Sequence, residues 1–267
     1  MSRFLPLLLV LLAACIGPKT APMSSSSVSS PVFADNIVVA HRGAWKAGGL
    51  PENSIASLRE AIRLGCTGTE FDVRLTSDDS LLVVHDEVHG GMEVARHTYA
   101  ELTAIPLANG EKLPTLREYL AAGLRDNPGT RLVCELKPSE VSTERDVRTA
   151  TLAVALVAEL NAEAWVPYIS FSYPILLRIL ELNPAADTQY LNGEKTPDEL
   201  KKDRINGLDY NYRVYQTHPE WIAAAKRNRQ ALNAWTVNDA ADMDRLIQQG
   251  FDFITTNEPE LLLKKVR

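Results

Sequence analysis

Glu70 and Asp72 are spaced so that they could bind a metal ion together. One residue separates them within an apolar run, so a β-strand would direct both carboxylates to the same face. Like charges buried side by side destabilise a protein unless a cation joins them, and carboxylate oxygens suit Mg²⁺ or Ca²⁺. The pair therefore predicts a divalent-cation site, with a solvated pair on a surface strand as the alternative.

Two histidines stand where they could act as an acid and a base. His41 follows the apolar run 37–40, and His85 follows a second apolar run at 81–84. Hydrolysis of a phosphodiester needs one group that removes a proton from the attacking oxygen and another that protonates the leaving oxygen. A single histidine at a strand end is more often structural, and a pair of them could supply both groups.

Three further charged residues fit the same chemistry. Arg42 lies beside His41, and a guanidinium group can hold a phosphate through two parallel hydrogen bonds. Glu135 ends another apolar run, and Lys137 lies two residues later on the same face of that strand. They predict a third carboxylate for the metal ion and a cation for the phosphate.

The chain that must position these residues alternates between strand and helix patterns, which predicts a parallel sheet. At this length a closed (β/α)₈ barrel leaves no sheet edge exposed, and a doubly wound open sheet is the alternative. The predicted strands are 37–40, 67–73, 131–136, 166–170, 188–191, 207–210, 231–236 and 253–255.

Helical periodicity fills the intervals between these strands. The predicted helices are 54–64, 115–125, 143–160, 174–182, 197–201, 219–227 and 240–249. One segment departs from simple alternation: residues 81–84 follow a turn and are expected to pair back onto the second strand, as the start of a small insertion.

Residues 1–15 have the pattern of a bacterial lipoprotein signal peptide. A short positive region precedes an apolar stretch that is too short to span a bilayer and ends in Leu12-Ala13-Ala14-Cys15. Cys15 is the expected lipidation site, which predicts a lipid-anchored protein of the cell envelope that faces away from the cytoplasm; a plain secretory signal is the alternative. Residues 16–35, rich in Ser and Pro, predict a flexible tether, and 36–267 predict one folded domain.

Composition excludes several classes of protein. The apolar share of 45% and the charged share of 23% are those of a soluble globular domain. A net charge of −6 and the lack of any basic run argue against a nucleic-acid partner. Besides Cys15 the chain has Cys66 and Cys134 among apolar neighbours, where buried thiols are favoured over a disulfide.

Taken together, these residues belong to a longer ordered pattern that resembles the glycerophosphodiester phosphodiesterase family. The resemblance runs from about residue 38 to residue 261 and is highly specific in order and spacing. The segments that carry it are His41-Arg42-Gly43, Pro51-Glu52-Asn53-Ser54, Glu70 to Thr76 with Asp78-Asp79, Val83 to Asp86, Leu113 to Leu116, Glu135-Leu136-Lys137, Trp235 to Asn238 and Gly250 to Pro259.

The resemblance implies a (β/α)₈ barrel of the phosphoinositide-phospholipase-C-like type. It also implies one divalent cation, Mg²⁺ or Ca²⁺, and hydrolysis of glycerophosphodiesters to glycerol 3-phosphate and an alcohol through a cyclic phosphate. The implied roles are metal binding by Glu70, Asp72 and Glu135, acid–base catalysis by His41 and His85, phosphate binding by Arg42 and Lys137, and glycerol packing on Trp235. Glu52 and Asn53 would lie near the mouth of the site, although Asn53 could instead cap the following helix.

Two segments depart from the family pattern. The loop 87–97 after His85-Asp86 is reshaped, and Asn257 stands where an Asp is more usual, which leaves a polar role for that loop open. The remaining histidines match no family position and are interpreted as surface or loop residues; they are His89, His97 and His218.

Two other functions are kept as alternatives. One is a lysophospholipase D or phosphoinositide-type phospholipase, which an exposed apolar rim around the site would favour. The other is a lipoprotein that binds phosphorylated polyols without catalysis. The presence of both histidines and all three carboxylates favours an enzyme.

Overall fold

The structure is a computed structural model that describes Met1 and residues 31–266. The predicted signal peptide with Cys15, and most of the predicted tether, lie outside the described residues apart from Met1. No helix within 31–266 combines the length and the apolar character needed to cross a bilayer.

Eight parallel strands close into a barrel, as the sequence predicts. They are β1 (Val38–Ala40), β2 (Gly68–Leu75), β3 (Arg131–Leu136), β4 (Tyr168–Ser170), β5 (Thr188–Tyr190), β6 (Gly207–Asn211), β7 (Ala231–Trp235) and β8 (Phe253–Thr256). Each strand pairs with the next, and β1 pairs with both β2 and β8, which closes the barrel. The (β/α)₈ prediction is confirmed, and the open sheet is excluded.

Helices follow the strands and cover the outside of the barrel. They are α1 (Ile55–Leu64), α2 (Leu116–Leu124), α3 (Thr143–Glu159), α4 (Tyr173–Leu182), α5 (Pro197–Lys202), α6 (Glu220–Asn228), α7 (Ala240–Gln249) and α8 (Pro259–Val266). The main core lies between barrel and helices, where Leu58, Phe71 and Tyr119 are fully buried. The sequence predicted the first seven helices but neither α8 nor the short helix Tyr212–Thr217.

Side chains that bond the first free N–H groups set several helix starts. Thr115 and Thr196 form capping boxes at α2 and α5. At α1 the sequence left Asn53 open as a cap or a site residue, and the N-cap is Ser54, whose hydroxyl accepts from the N–H of Ser57. Asn53 lies one residue earlier and faces the barrel instead.

The predicted insertion follows β2. Its first strand, Leu81–Val83, runs antiparallel to β2, with Val83 opposite Val73. A hairpin (Val88–His89 and Met92–Glu93) and a short helix (Tyr99–Thr103) follow, neither of which the sequence predicted. The insertion has a small core of its own, formed by Leu82, Val84, Val94, Leu102 and Leu113.

The segment that enters the barrel packs at the amino ends of the strands. The N–H of Ala34 donates to the carbonyl of Gly129 at 2.8 Å, just before β3 begins. The Phe33 ring contacts the edge of Trp165 and lies 3.8 Å from the Arg131 guanidinium carbon. Residues 33 and 34, within the predicted tether, therefore pack against the folded domain near the amino end of β3.

Candidate active site

The predicted site residues converge at the carboxyl ends of the barrel strands. His41 follows β1, Lys137 follows β3, Trp235 ends β7, and His85 follows the first strand of the insertion. Side chains at the carboxyl ends of barrel strands meet at one rim, so residues far apart in sequence become neighbours. One cavity is lined by His41, Arg42, Glu70, His85, Glu135, Lys137 and Trp235.

Three acidic side chains form a cluster at this cavity. Glu70, Asp72 and Glu135 are buried, and one oxygen of each lies within 4.8 Å of the others. Asp72 is opposite Glu135 in the register of β2 and β3. The Oε1 atom of Glu70 is buried and accepts no hydrogen bond from any described residue. Converging carboxylates with an unsatisfied buried oxygen fit a hard divalent cation.

The three carboxyl groups differ in their affinity for protons. Burial, followed by the charges of Asp72 and Glu135, raises the pKa of Glu70 well above its usual value. Burial, followed by the charge of Asp72, raises the pKa of Glu135 to about 7. Burial opposes ionisation of Asp72 too, but Lys137, His85 and Arg42 hold the pKa of that carboxyl below its usual value. Without a cation, the cluster therefore retains protons near neutral pH.

Two basic side chains face the same space. The Nζ atom of Lys137 lies 3.0 Å from Asp72 Oδ1 and 2.8 Å from Glu135 Oε1. Arg42 Nε lies 3.4 Å from Asp72 Oδ2, and its Nη1 donates to Glu52 Oε2 at 2.6 Å. Both cations are held in place by acids and line the cavity, where a phosphate would meet their charge.

The side-chain amide of Asn53 forms two hydrogen bonds with Asp72. Its amide nitrogen donates to Asp72 Oδ2 at 2.9 Å, and its amide oxygen accepts from the backbone N–H of Asp72 at 3.1 Å. The residue is buried and has a φ of +57°, a left-handed conformation that Asn tolerates better than most residues. Asn53 therefore orients a carboxylate of the acidic cluster.

His41 is a buried imidazole with one nitrogen already engaged. Its Nδ1 lies 2.7 Å from Asn257 Oδ1, and its Nε2 lies 3.9 Å from Glu70 Oε2. An amide oxygen can only accept, so Nδ1 carries the hydrogen and a neutral ring has its lone pair on Nε2. Burial, followed by the charge of Arg42, lowers the pKa of His41. A neutral histidine with a free Nε2 lone pair can act as a base.

His85 stands nearer to solvent. Its Nδ1 lies 2.8 Å from Asp86 Oδ1, and its side chain is about one-third exposed. Arg74 donates to the backbone carbonyl of His85 at 2.7 Å, which ties the end of the insertion strand to β2. The two histidines thus meet at one cavity from different elements, one buried and one at its edge.

An apolar wall completes the cavity. Trp235 and Phe171 pack edge to face with ring centroids 5.5 Å apart, and Ile169 and Leu191 lie beside them. The indole N–H of Trp235 donates to the backbone carbonyl of Asp209 at 2.7 Å. The wall offers carbon surface to a small polyol, while the charged side chains surround its polar end.

Several residues at the site were missed by sequence reasoning. Asp209 and Phe171 line the cavity, and the polar role that was left open for the Asn257 loop is a hydrogen bond with His41. Alternation along β6 could have identified Asp209, since it points inward between Gly207 and Asn211. Position after β8 could have identified Asn257, because its side chain is directed to the same rim.

Two tyrosines near the end of β6 and the other histidines lie outside the cavity. Tyr210 packs on the outside of the barrel near Tyr215, and Tyr212 begins the short helix after β6. The three other histidines also lie off the cavity, as expected; they are His89, His97 and His218.

The family of the chain is shown by comparison with known proteins. Residues 41–261 match the model of the glycerophosphoryl diester phosphodiesterase family. The glycerophosphodiester phosphodiesterase of Caldanaerobacter subterraneus subsp. tengcongensis is 30% identical over 248 residues, covering 86% of this chain and 98% of that protein.

Solved structures agree with this match. The crystal structure of a glycerophosphodiester phosphodiesterase from Parabacteroides distasonis superposes with a TM-score of 0.83 at 41% identity, covering 88% of this chain and 98% of the other. An Oleispira antarctica phosphodiesterase, solved with its product sn-glycerol-3-phosphate, has the same fold, with a TM-score of 0.74 at 24% identity and coverage of 86% and 96%. The chain therefore belongs to the glycerophosphoryl diester phosphodiesterase family of hydrolases.

Proposed function

We propose that this protein hydrolyses glycerophosphodiesters to glycerol 3-phosphate and an alcohol, in a metal-dependent reaction that passes through a cyclic phosphate. The observation that carries the proposal is one cavity lined by His41 and His85, by two basic side chains and by two members of the buried three-carboxylate cluster. Family membership supports the substrate class, and so does the glycerol 3-phosphate bound to the Oleispira antarctica relative.

Glu70, Asp72 and Glu135 are the residues that would hold the cation, Mg²⁺ or Ca²⁺. A divalent cation bound there supplies positive charge that stabilises phosphate oxygens and lowers the pKa of a nearby hydroxyl. Arg42 and Lys137 add fixed positive charge around the phosphate.

The two histidines move protons in both steps. In the first, one imidazole takes the proton of a glycerol hydroxyl, whose oxygen forms a bond to phosphorus. The bond from phosphorus to the leaving alcohol breaks, and the other imidazole, protonated, gives its proton to that oxygen. In the second step water attacks, the ring P–O bond breaks, and the histidines exchange roles. This scheme needs no covalent bond to the protein.

The surface of the protein favours a soluble substrate over a membrane lipid. Large exposed apolar side chains in the described part of the chain are scattered, and the insertion contributes one, Val88. A phospholipase that works at a bilayer needs a continuous apolar rim around its mouth. We therefore propose deacylated diesters as substrates, with lysophospholipid as the alternative.

Lipid attachment at Cys15 is a separate proposal that the sequence pattern supports. It places the enzyme on the outer side of the cytoplasmic membrane or in the envelope beyond it. Incorporation of a labelled fatty acid that Cys15→Ala abolishes would support the anchor. Secretion of an unlabelled protein would favour a plain secretory signal.

The test of the catalytic proposal is turnover of glycerophosphocholine and glycerophosphoethanolamine by the folded domain. Activity should disappear with a chelator and return with Mg²⁺ or Ca²⁺. His41→Ala should lower kcat/KM by about 10²- to 10⁴-fold. Turnover of lysophospholipid alone would favour the phospholipase, and tight binding of these diesters without turnover would favour a binding protein.

A further inference from the structure

Asp209 is a buried acid at the cavity to which the mechanism gives no role. It is the central residue of β6 and points into the barrel, where only 1% of it is exposed. It lines the cavity with Glu135 and Trp235. Its Oδ1 atom is buried and has no hydrogen-bond partner among the described residues.

The surroundings of Asp209 leave one of its carboxyl oxygens without a partner and argue against a metal-binding role. Asn233 and Thr255, on the next two strands, bond to each other, and Asn233 also interacts with the Asp209 carboxyl, yet Asp209 Oδ1 stays unpaired among the described residues. The acidic cluster comprises Glu70, Asp72 and Glu135 and does not include Asp209. A buried oxygen without a partner destabilises a protein, and one that faces a ligand cavity is best satisfied by the ligand.

The proposed substrate presents one polar group that the catalytic scheme leaves without a protein partner. The glycerol hydroxyl beside the phosphate ester is the nucleophile, whereas the terminal hydroxyl takes no part in bond making. Once the carbons of glycerol pack against Trp235 and Phe171, that terminal hydroxyl leaves water and needs a hydrogen bond.

We infer that the Asp209 carboxyl binds the terminal hydroxyl of the glycerol group and so selects glycerol-headed diesters over diesters that lack this hydroxyl. The inference rests on the proposed function. Trp235 links the surface that packs against glycerol to Asp209. Its ring forms part of the cavity wall, and its indole N–H donates to the backbone carbonyl of Asp209.

The protonation of Asp209 supports this role. Burial, followed by the charge of Glu135, raises the pKa of Asp209 well above its usual value. A neutral carboxyl can both donate and accept, which suits a hydroxyl, and a neutral amide of the same shape can do the same. Asp209→Asn should therefore keep most of the selectivity that Asp209→Ala removes.

The experiment compares two substrates. Glycerophosphocholine has both hydroxyls, whereas the 2-hydroxypropyl diester of phosphocholine keeps the attacking hydroxyl and has a methyl group where the terminal CH₂OH was. The wild-type enzyme should prefer the first by about tenfold or more in kcat/KM. Asp209→Ala should lower kcat/KM for glycerophosphocholine by about that factor and leave kcat/KM for the other diester unchanged. The ratio of the two kcat/KM values should then be near one.

Gln189 provides a matched control. It lies on β5 opposite Gly207, one inward layer nearer the amino end, and is 4% exposed with an unpartnered Oε1. It does not line the cavity. Gln189→Ala removes a similar buried polar group, so it should reduce thermal stability but leave the substrate ratio of the wild-type enzyme.

The possible outcomes are distinct. A wild-type enzyme that does not distinguish the two substrates would overturn the assignment, whether or not the alanine variant folds. A folded Asp209→Ala that is slowed equally on both would also overturn it, since a structural role predicts that result. If the wild-type enzyme turns over neither diester, the proposed function itself fails.

Discussion

At the scale of single residues, the partner of His41 sets what that histidine can do. Many members of the family are expected to have Asp where this chain has Asn257, and the structure places the Asn257 amide oxygen 2.7 Å from Nδ1. The amide fixes the tautomer without adding a negative charge. A carboxylate there would favour the charged imidazole. The hydrogen bond with Asn257 raises the pKa of His41, but burial, followed by the charge of Arg42, outweighs it, so the pKa is lowered.

Asn257→Asp should shift the pH profile of the enzyme. The added carboxylate stabilises protonated His41 and raises its pKa, so more of the base is protonated at a given pH. We expect the acidic limb of kcat/KM to move upward by about one pH unit. Rate profiles measured with saturating metal at each pH test this. Profiles of the variant and wild type that coincide would mean that Asn257 does not influence the base.

Asn53 gives a second prediction at this scale. Its amide orients Asp72 through two hydrogen bonds. Asn53→Ala should therefore weaken metal binding by about 10- to 100-fold, which is the range for residues that support metal ligands. Activity should recover largely at high metal concentration. Titration of activity with Mg²⁺ or Ca²⁺ measures the change.

The neighbouring residue controls for loss of stability in this experiment. Ser54→Ala removes the N-cap of α1, which should reduce the free energy of unfolding by about 1 kcal/mol. Its metal affinity should match that of the wild type. If both variants bind metal equally weakly, the effect of Asn53 would come from the helix start rather than from Asp72.

At the scale of elements, the strands were predictable because their apolar runs must be buried on both faces. The three residues of β1 are all buried; they are Val38, Val39 and Ala40. The strand therefore appears in the sequence as an unbroken apolar run, which is easy to recognise. Short helices were harder to predict. The helix Tyr212–Thr217 begins directly after β6 and is too short to show a helical period.

Predictions at the site succeeded where several residues formed a pattern and failed where one residue acted alone. The spacing of Glu70 and Asp72 made that pair predictable. Asp209 has one apolar and one aromatic neighbour in the sequence and belongs to no such pair. The role of Asn53 was left open between cap and site residue because Asn and Ser are both good caps. Only the tertiary contact with Asp72 shows that Asn53 is used elsewhere.

The loop between β1 and α1 depends on Gly43. This residue has a φ of +84°, and a Cβ atom there would lie 2.4 Å from Ser57 Oγ and 2.7 Å from the backbone carbon of Ser57. Gly43→Ala should therefore shift the loop that carries His41 and Arg42. We expect a loss of about 1–3 kcal/mol in the free energy of unfolding and a clear fall in kcat.

Gly49 is the control for this loop. It has a φ of +62°, but a Cβ atom there meets nothing within 4 Å. Gly49→Ala should cost stability through backbone strain alone and leave kcat close to that of the wild type. Chemical denaturation and steady-state kinetics on both variants separate the two effects. Equal kcat values for Gly43→Ala and Gly49→Ala would contradict the close packing inferred for Gly43.

At the scale of the whole molecule, the two ends of the barrel differ in the side chains that they bury. The carboxyl ends of the strands hold acids whose burial opposes folding, while Phe33 packs near the amino ends against Arg131 and Trp165. The chain thus enters the domain at the end away from the cavity. Stability is therefore expected to depend on what neutralises the acidic end.

The stability of the metal-free protein should fall as pH rises from about 4.5 to 7. Folding raises the pKa of Glu135 from 4.5 to about 7, so the folded state binds more protons than the unfolded state between those values. The stabilising proton is fully present below the unfolded pKa and is lost as pH rises through the folded pKa. Glu70, whose pKa is also raised, acts in the same direction.

A bound cation should reverse this loss, because it replaces the protons with a stronger neutralising charge. We expect the difference in Tm between metal-loaded and chelated protein to be small near pH 5 and to widen by about 5 °C or more by pH 8. Thermal unfolding at several pH values, with and without chelator, measures it. Glu135→Gln should reduce the pH dependence of the chelated protein, since it removes one of the titrating groups. A constant Tm difference across this pH range would mean that the acidic cluster does not bind the cation.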